Sequence, residues 1–272
     1  MFVNHAHLMP GSVREDATRD ALLRLMDNCG IAQAVCFAPF SYQFENGVEW
    51  MAGEIEKDDR LLGYGSLDPR RDPVDQVKRI ADLGFRGIKL HPPAQKFEIF
   101  GDWSRRAYGE MEALGLIADF HLGVHWHRLR DYNPLDCDEI AWHFPGLRMV
   151  FEHVGGWHYY RQVLAVITNN SLRGNHLYAG IASVLEKEHQ RYWYLGPEGL
   201  DECRWQIGAD LLIYGLDFPY NPEAFIRNDL EKINSLDWPK EDIDKLLGGN
   251  LKRLLGLEEG AAGKVGGDPS AK

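Results

Sequence analysis

The sequence predicts a single (β/α)8 TIM barrel, and three observations carry that prediction. Short apolar runs alternate with amphipathic helical stretches eight times over about 255 residues, the usual size of this fold. No G-x-G-x-x-G turn follows any strand, which counts against a doubly wound open sheet. Polar residues able to do chemistry stand at the ends of the apolar runs, where a barrel gathers its functional groups.

The elements follow in order. Phe2 to Leu8 reads as a first strand. Ser12-Val13-Arg14-Glu15 has the form of a capping box, and Ala21, Leu22, Leu25 and Met26 continue at helical spacing until Gly30 stops the helix. Ile31 to Phe37 is a second strand and Leu61 to Leu67 a third. Asp72-Pro73 opens a helix with proline at its first position, and Gly84 ends it. Phe85 to His91 is strand four. Trp103 to Leu114 is helical and Gly115 breaks it. Strands five to eight are Leu116 to Leu122, Leu147 to His153, Leu177 to Ala182 and Leu211 to Asp217. Asn221-Pro222-Glu223 is expected to cap the next helix, and Asn250 to Leu255 to form the last one. The barrel is expected over 1–257. Residues 258–272, rich in Gly and Ala, are expected to be a flexible tail.

Composition narrows the class of function. The 272 residues are 44% hydrophobic and 26% charged, a globular mix. Thirty basic against 41 acidic side chains leave a formal charge of -11, unfavourable for nucleic acid or an anionic membrane. No apolar run is long enough to span a bilayer, and no charged leader with an apolar stretch is visible. Four cysteines, none in C-x-x-C, suit a reducing cytosol, so the expected location is cytoplasmic. The expected partner is a small-molecule substrate. Homo-oligomerisation is left open.

The strand ends carry the chemistry. Strand one ends in His5-Ala6-His7, strand four in His91, strand five in His121, strand six in His153 and strand eight in Asp217. Residues i and i+2 share a strand face, so His5 and His7 point the same way and can converge on one cation. His121 shares its face with Ile117 and Asp119, and Asp217 with Ile213 and Gly215. Neutral imidazoles with a carboxylate suit Zn²⁺, Mn²⁺ or Fe²⁺. An open coordination position would lower the pKa of a bound water.

Several stretches together resemble the amidohydrolase-related family, the branch of the amidohydrolase superfamily that includes aminocarboxymuconate-semialdehyde decarboxylase. They are His5-Ala6-His7 with Asn4 where the family usually has Asp, Gly87-Ile88-Lys89-Leu90-His91-Pro92, the His121-Leu122-Gly123 end of strand five, Phe151-Glu152-His153-Val154-Gly155-Gly156, Tyr214-Gly215-Leu216-Asp217-Phe218-Pro219-Tyr220, and the closing helix from Gly249 to Leu257. The resemblance covers residues 1 to about 257. It implies that His5, His7, His121 and Asp217 bind one divalent metal, zinc with manganese as the alternative. It also implies that His153 is an acid/base or polarising group that does not ligate. His125 and His127 repeat the H-x-H spacing and are alternatives to His121, which is preferred because it ends an apolar strand.

The activity expected is metal-dependent hydrolysis. Asp217 would accept a proton from water, and His153 would stabilise the oxyanion or protonate the leaving group. Non-oxidative decarboxylation of a small carboxylic acid is the alternative, and a non-catalytic binding protein is a rival of a different class. Lys89, His91, Trp126, Trp157 and Phe218 are candidates for substrate contact. For Lys89 the competing reading is an inward ammonium paired with Asp119. For His91 it is a structural histidine, and for the aromatics it is ordinary loop packing. Arg128 and Arg161 are weighed as carboxylate binders against plain surface residues.

Overall fold

The computed structural model describes residues 1–257, and these form a closed barrel of eight parallel strands in sequential order. The strands are β1 (Phe2–His7), β2 (Gln33–Phe37), β3 (Leu61–Ser66), β4 (Gly87–Leu90), β5 (Ile117–His121), β6 (Met149–Glu152), β7 (Leu177–Ile181) and β8 (Leu212–Phe218). Every expected strand is present. Most bounds lie one or two residues inside the expected ones, where the apolar run continues into a loop, while β8 runs one residue further, to Phe218. The eight long outer helices are α1 (Arg19–Cys29), α2 (Gly47–Ile55), α3 (Pro73–Asp82), α4 (Asp102–Leu114), α5 (Leu135–His143), α6 (Gly156–Ser171), α7 (Gly196–Ile207) and α8 (Glu223–Asn234). The tail expected over 258–272 lies outside the described residues.

Two helix starts differ from expectation. α1 begins after Thr18, whose hydroxyl accepts from the Ala21 amide. The Ser12–Glu15 stretch is instead drawn into a turn in which the Pro10 carbonyl accepts from the amides of Val13 and Arg14. Asn221 does not cap α8. Its amide donates to Ser183 Oγ and to the Leu216 carbonyl, so it is used to tie two loops together. Asp72, Pro73, Gly30 and Gly115 act as their chemistry dictates. Asp72 accepts from two amides of the first turn of α3, and the two glycines take the left-handed cap conformation.

The barrel interior is layered. Its floor is apolar, built from Phe2, Val35, Phe37, Tyr64, Ile117, Val150 and Ile213, and plugged from below by Leu251 and Leu254 of the closing helix. A larger apolar layer separates the sheet from the helices. One level above the floor the interior turns polar, with Asn4, Lys89, Asp119 and Glu152 fully buried. The alternation along β5 and β8 therefore runs as expected, Ile117–Asp119–His121 and Ile213–Gly215–Asp217 facing inward.

One buried acid sits outside the interior. Asp229 on α8 packs near Tyr214 of β8, and burial, opposed in part by Lys232, raises its carboxyl from 3.8 to about 7. The folded state then favours the protonated acid. This contribution to stability is full below the ordinary pKa and is lost as pH rises through 3.8 towards 7. Asp229→Asn should change stability little near pH 4 and raise it by about 2–4 kcal/mol at pH 8. Urea unfolding at both pH values checks this, and no gain at pH 8 would count against it.

Candidate active site

The C-terminal mouth of the barrel collects the strand-end residues, and the backbone bends to do so. His5, His153, Ser183 and Asp217 all hold φ between 51 and 64°. Left-handed backbone costs a residue with a Cβ about 1–2 kcal/mol, so four such sites at one rim mark a geometry imposed for something other than stability. At His5 the bend coincides with a shift in the β1 register against both neighbours. It turns Asn4, His5 and His7 all toward the interior. At His153 it brings both Glu152 and His153 inward.

Three ligand-type atoms meet there. His5 Nε2 lies 3.1 Å from His7 Nε2 and 3.2 Å from Asp217 Oδ1, and His7 Nε2 lies 3.8 Å from the same oxygen. The surrounding groups orient each of them. His5 Nδ1 lies 2.8 Å from Glu152 Oε2, an ion-pair contact rather than an aligned hydrogen bond. Glu152 Oε1 also accepts from Asn4. Asp217 Oδ2 accepts from Ser183 Oγ at 2.6 Å, which leaves Oδ1 toward the imidazoles. A chain of donors runs behind it, from Gln190 to Asn221, from Asn221 to Ser183 and from Ser183 to Asp217.

The electrostatics call for positive charge at this point. Burial and Lys89 press the His5 ring toward neutrality, but Glu152 and Asp217 outweigh them and hold its pKa at about 9. Burial opposes ionisation of Asp217 too, and is overcome by His5 and the other imidazoles, so its carboxyl stays well below the ordinary range. Carboxylates that hold a proton on His5 would favour a divalent cation in the proton's place. His7 is held neutral by burial and then by His5.

His153 adjoins this group, its ring 5.2 Å from that of His5 and one ring nitrogen within 4.8 Å of ligand atoms of His5 and Asp217. Its Nδ1 is 2.8 Å from the Ala182 carbonyl, which can only accept, so Nδ1 carries the proton and Nε2 the lone pair. Burial lowers its pKa to about 4 against the pull of Asp217. Trp193 stacks flat on the ring at 4.5 Å. The bare backbone of Gly156, at φ 63°, makes room for that indole, since a Cβ there would come within 2.6 Å of it.

His121 is placed in a different group. Its ring stacks on His91 at 3.9 Å, and one nitrogen of each of His91, His121 and His125 lies within 4.8 Å of the others. His127 is exposed on the loop beyond. Lys89, a candidate for substrate contact, is buried and bonded to Asp119 Oδ1 at 2.8 Å, so its ammonium is engaged within the barrel. Phe218 is buried, whereas Trp126 and Trp157 are 80% and 59% exposed on the rim. Arg128 and Arg161 are exposed and paired with Asp131 and Glu202.

Glu152, Ser183 and Trp193 were not singled out from sequence. A glutamate closing the apolar run Met149–Glu152 is the one signal that pointed to any of them. Ser183 and Trp193 lie in the segment after β7, whose path no local pattern reveals. Among the described residues no helix is long and apolar enough to cross a membrane.

Comparison with known proteins agrees with this architecture. The 5-carboxyvanillate decarboxylase of Sphingomonas paucimobilis matches with a TM-score of 0.69 at 13% identity, over 95% of this chain and 99% of its own. A dihydroxybenzoic acid decarboxylase of Polaromonas sp. JS666, solved with bound manganese and the inhibitor 2-nitroresorcinol, matches with a TM-score of 0.69 at 14% identity over 94% and 96%. An amidohydrolase of Burkholderia multivorans with bound zinc matches with a TM-score of 0.71 at 14% identity over 94% and 99%. At these identities the likeness is one of fold. No curated protein matches the chain. A model of the Amidohydrolase family spans residues 7–257, and the chain belongs to that family.

Proposed function

We propose that the chain is a metal-dependent hydrolase acting at the carbonyl carbon of a small, flat substrate. The observation that carries this reading is the convergence of His5 Nε2, His7 Nε2 and Asp217 Oδ1 within 3.8 Å of one another at the barrel mouth. Two imidazoles and a carboxylate are a donor set for zinc or manganese, and these three residues would hold the ion. A bound ion supplies Lewis-acid polarisation of a carbonyl and acidifies water.

The protein's own groups supply the rest. Glu152 keeps the His5 ring turned with Nε2 toward the centre. Ser183 keeps Asp217 Oδ1 free of other donors. Neutral His153, with Nδ1 tied to Ala182, offers Nε2 as a proton acceptor, which fits removal of a proton from water. Tyr220, with its ring 5.6 Å from that of His7, and the exposed Trp126 and Trp157 supply flat apolar walls suited to a planar substrate.

The test is a panel of lactones, esters, amides and aromatic carboxylates. It is run on protein stripped of metal and on protein refilled with Zn²⁺ or Mn²⁺. Metal-dependent hydrolysis is expected. Release of carbon dioxide without hydrolysis would replace this reading by decarboxylation, and no turnover with a filled site would replace it by a binding role. His153→Asn should keep the metal and lower turnover by about 10²–10⁴-fold. Unchanged turnover would remove His153 from the chemistry.

A further inference from the structure

We propose that Trp193 is a positioning residue for His153, fixing the plane of the imidazole that takes the proton. This extends the role given to His153 above and rests on it. One hydrogen bond holds the ring, from Nδ1 to the Ala182 carbonyl at 2.8 Å. A single bond sets where one end of a ring points. It leaves the ring free to rock about that end, because the outer torsion of a histidine has a broad minimum. The indole removes that freedom. It lies 4.5 Å from the imidazole at an interplanar angle of 12°. The rings of His5 and His121 meet His153 at 51° and 68°. Among the described residues Trp193 is therefore the one ring that lies flat against it. His153 is buried and Trp193 only half-buried, so on this face the indole stands between the imidazole and solvent.

The second observation is that the indole is itself locked, by three loops at once. Its Nε1–H donates to the Val124 carbonyl at 3.2 Å, in the loop after β5. The Trp157 amide, in the first turn of α6, donates to the neighbouring Tyr192 carbonyl at 3.3 Å. Within the segment after β7, the Trp193 amide donates to the Gln190 carbonyl at 2.8 Å.

Two glycines clear the place it occupies. A Cβ at Gly123 would stand 3.0 Å from the indole Nε1, and one at Gly156 would stand 2.6 Å from Cδ1. Both hold positive φ, 128° and 63°, which residues with a Cβ rarely adopt. Any apolar side chain would serve to fill space on a loop. A bonded ring nitrogen and a notch cut from two other loops are specific to an indole held at one angle.

Two readouts test the assignment on Zn²⁺-refilled full chain. The first is the Nδ1–H of His153, identified by NMR as the imidazole N–H signal that His153→Asn lacks. In wild type it should be visible and slow to exchange with water. Trp193→Phe, which keeps a flat ring, should retain it, and Trp193→Ala should lose it. Circular dichroism shows that the Ala variant is folded. The second readout is turnover of the panel substrate that wild type handles fastest. Trp193→Ala should lower kcat by about 10–100-fold, with KM changed by less than about threefold. Trp193→Phe should restore most of the rate. Placed in the His153→Asn background, Trp193→Ala should add no further loss, because a residue that acts through His153 then has nothing to act on. A full further loss in that background would mean a purely structural effect and overturn the proposal. So would an unchanged Nδ1–H signal in Trp193→Ala, a readout that needs no substrate. Full turnover in both Trp193→Ala and His153→Asn, with the signal lost in Trp193→Ala, would instead remove His153 from the chemistry and leave Trp193 as what holds its ring, so the two readings fail separately.

Discussion

Asp217→Asn should lower the affinity of the mouth for Zn²⁺ by about 100-fold or more. Loss of a group that merely orients a ligand already costs 10–100-fold, so loss of the ligand's own charge belongs at or beyond the upper end. The substitution preserves shape. What changes is the charge and one pair of acceptor sites. Asp217 Oδ1 faces the Nε2 atoms of His5 and His7, while Oδ2 is engaged by Ser183. A carboxamide must turn its NH2 either toward the imidazoles, where it repels a cation, or toward the Ser183 hydroxyl, where it disrupts the chain from Gln190 and Asn221. Ser183→Ala supplies the graded control. It removes the orienting bond and leaves the charge, and should cost about tenfold. Metal competition against a chromophoric chelator measures both. An Asn variant within threefold of wild type would show that the carboxylate is not a ligand.

The second large effect is on stability. Lys89→Met should destabilise the fold by about 3–5 kcal/mol, the cost of removing one partner from a buried ion pair. Lys89 and Asp119 are among the most deeply buried side chains of the barrel, with 2.8 Å between Nζ and Oδ1. Burial outweighs Lys89 in setting the Asp119 carboxyl, which is pushed up to about 7, so the lysine is what keeps that acid from resisting ionisation still further. The same ammonium helps to hold Glu152 low and sits 4.6 Å above the Phe37 ring. Methionine keeps the stem and removes the charge, which leaves the interior with Asn4 as donor to both carboxylates. Adding Asp119→Asn should recover part of the loss, because the pair then leaves no bare charge. Urea unfolding gives the values. A loss under about 1 kcal/mol in the single variant would mean that water reaches the pair.

The fold was legible because parallel strands buried on both faces read as mainly apolar runs, as β3 and β7 do, broken in β1, β4 and β5 by the inward polar residues Asn4, His5, Lys89 and Asp119. Candidate residues were legible where a polar residue ends such a run, as at His153 and Asp217. Legibility failed where the backbone leaves the extended region. Alternation places Asn4 and His5 on opposite faces, yet the left-handed turn at His5 brings both inward. The same turn at His153 brings Glu152 and His153 together. No sequence period encodes such a turn at a residue that is not glycine. The partition of histidines into two groups was out of reach for a related reason. It depends on the course of the loop that returns His125 to His121, and spacing along the chain cannot supply that.

The seam between β1 and β8 joins the first and last strands, and among the described residues β8 is followed by α8 and the closing segment. Of all strand pairings in the ring, this is the one whose partners are furthest apart in sequence, and the entropy of bringing them together is the largest. His5 and His7 stand on one side of the seam and Asp217 on the other. An ion shared by them would act as a staple across the last joint to close. Its release would loosen the cylinder first where the first and last strands meet.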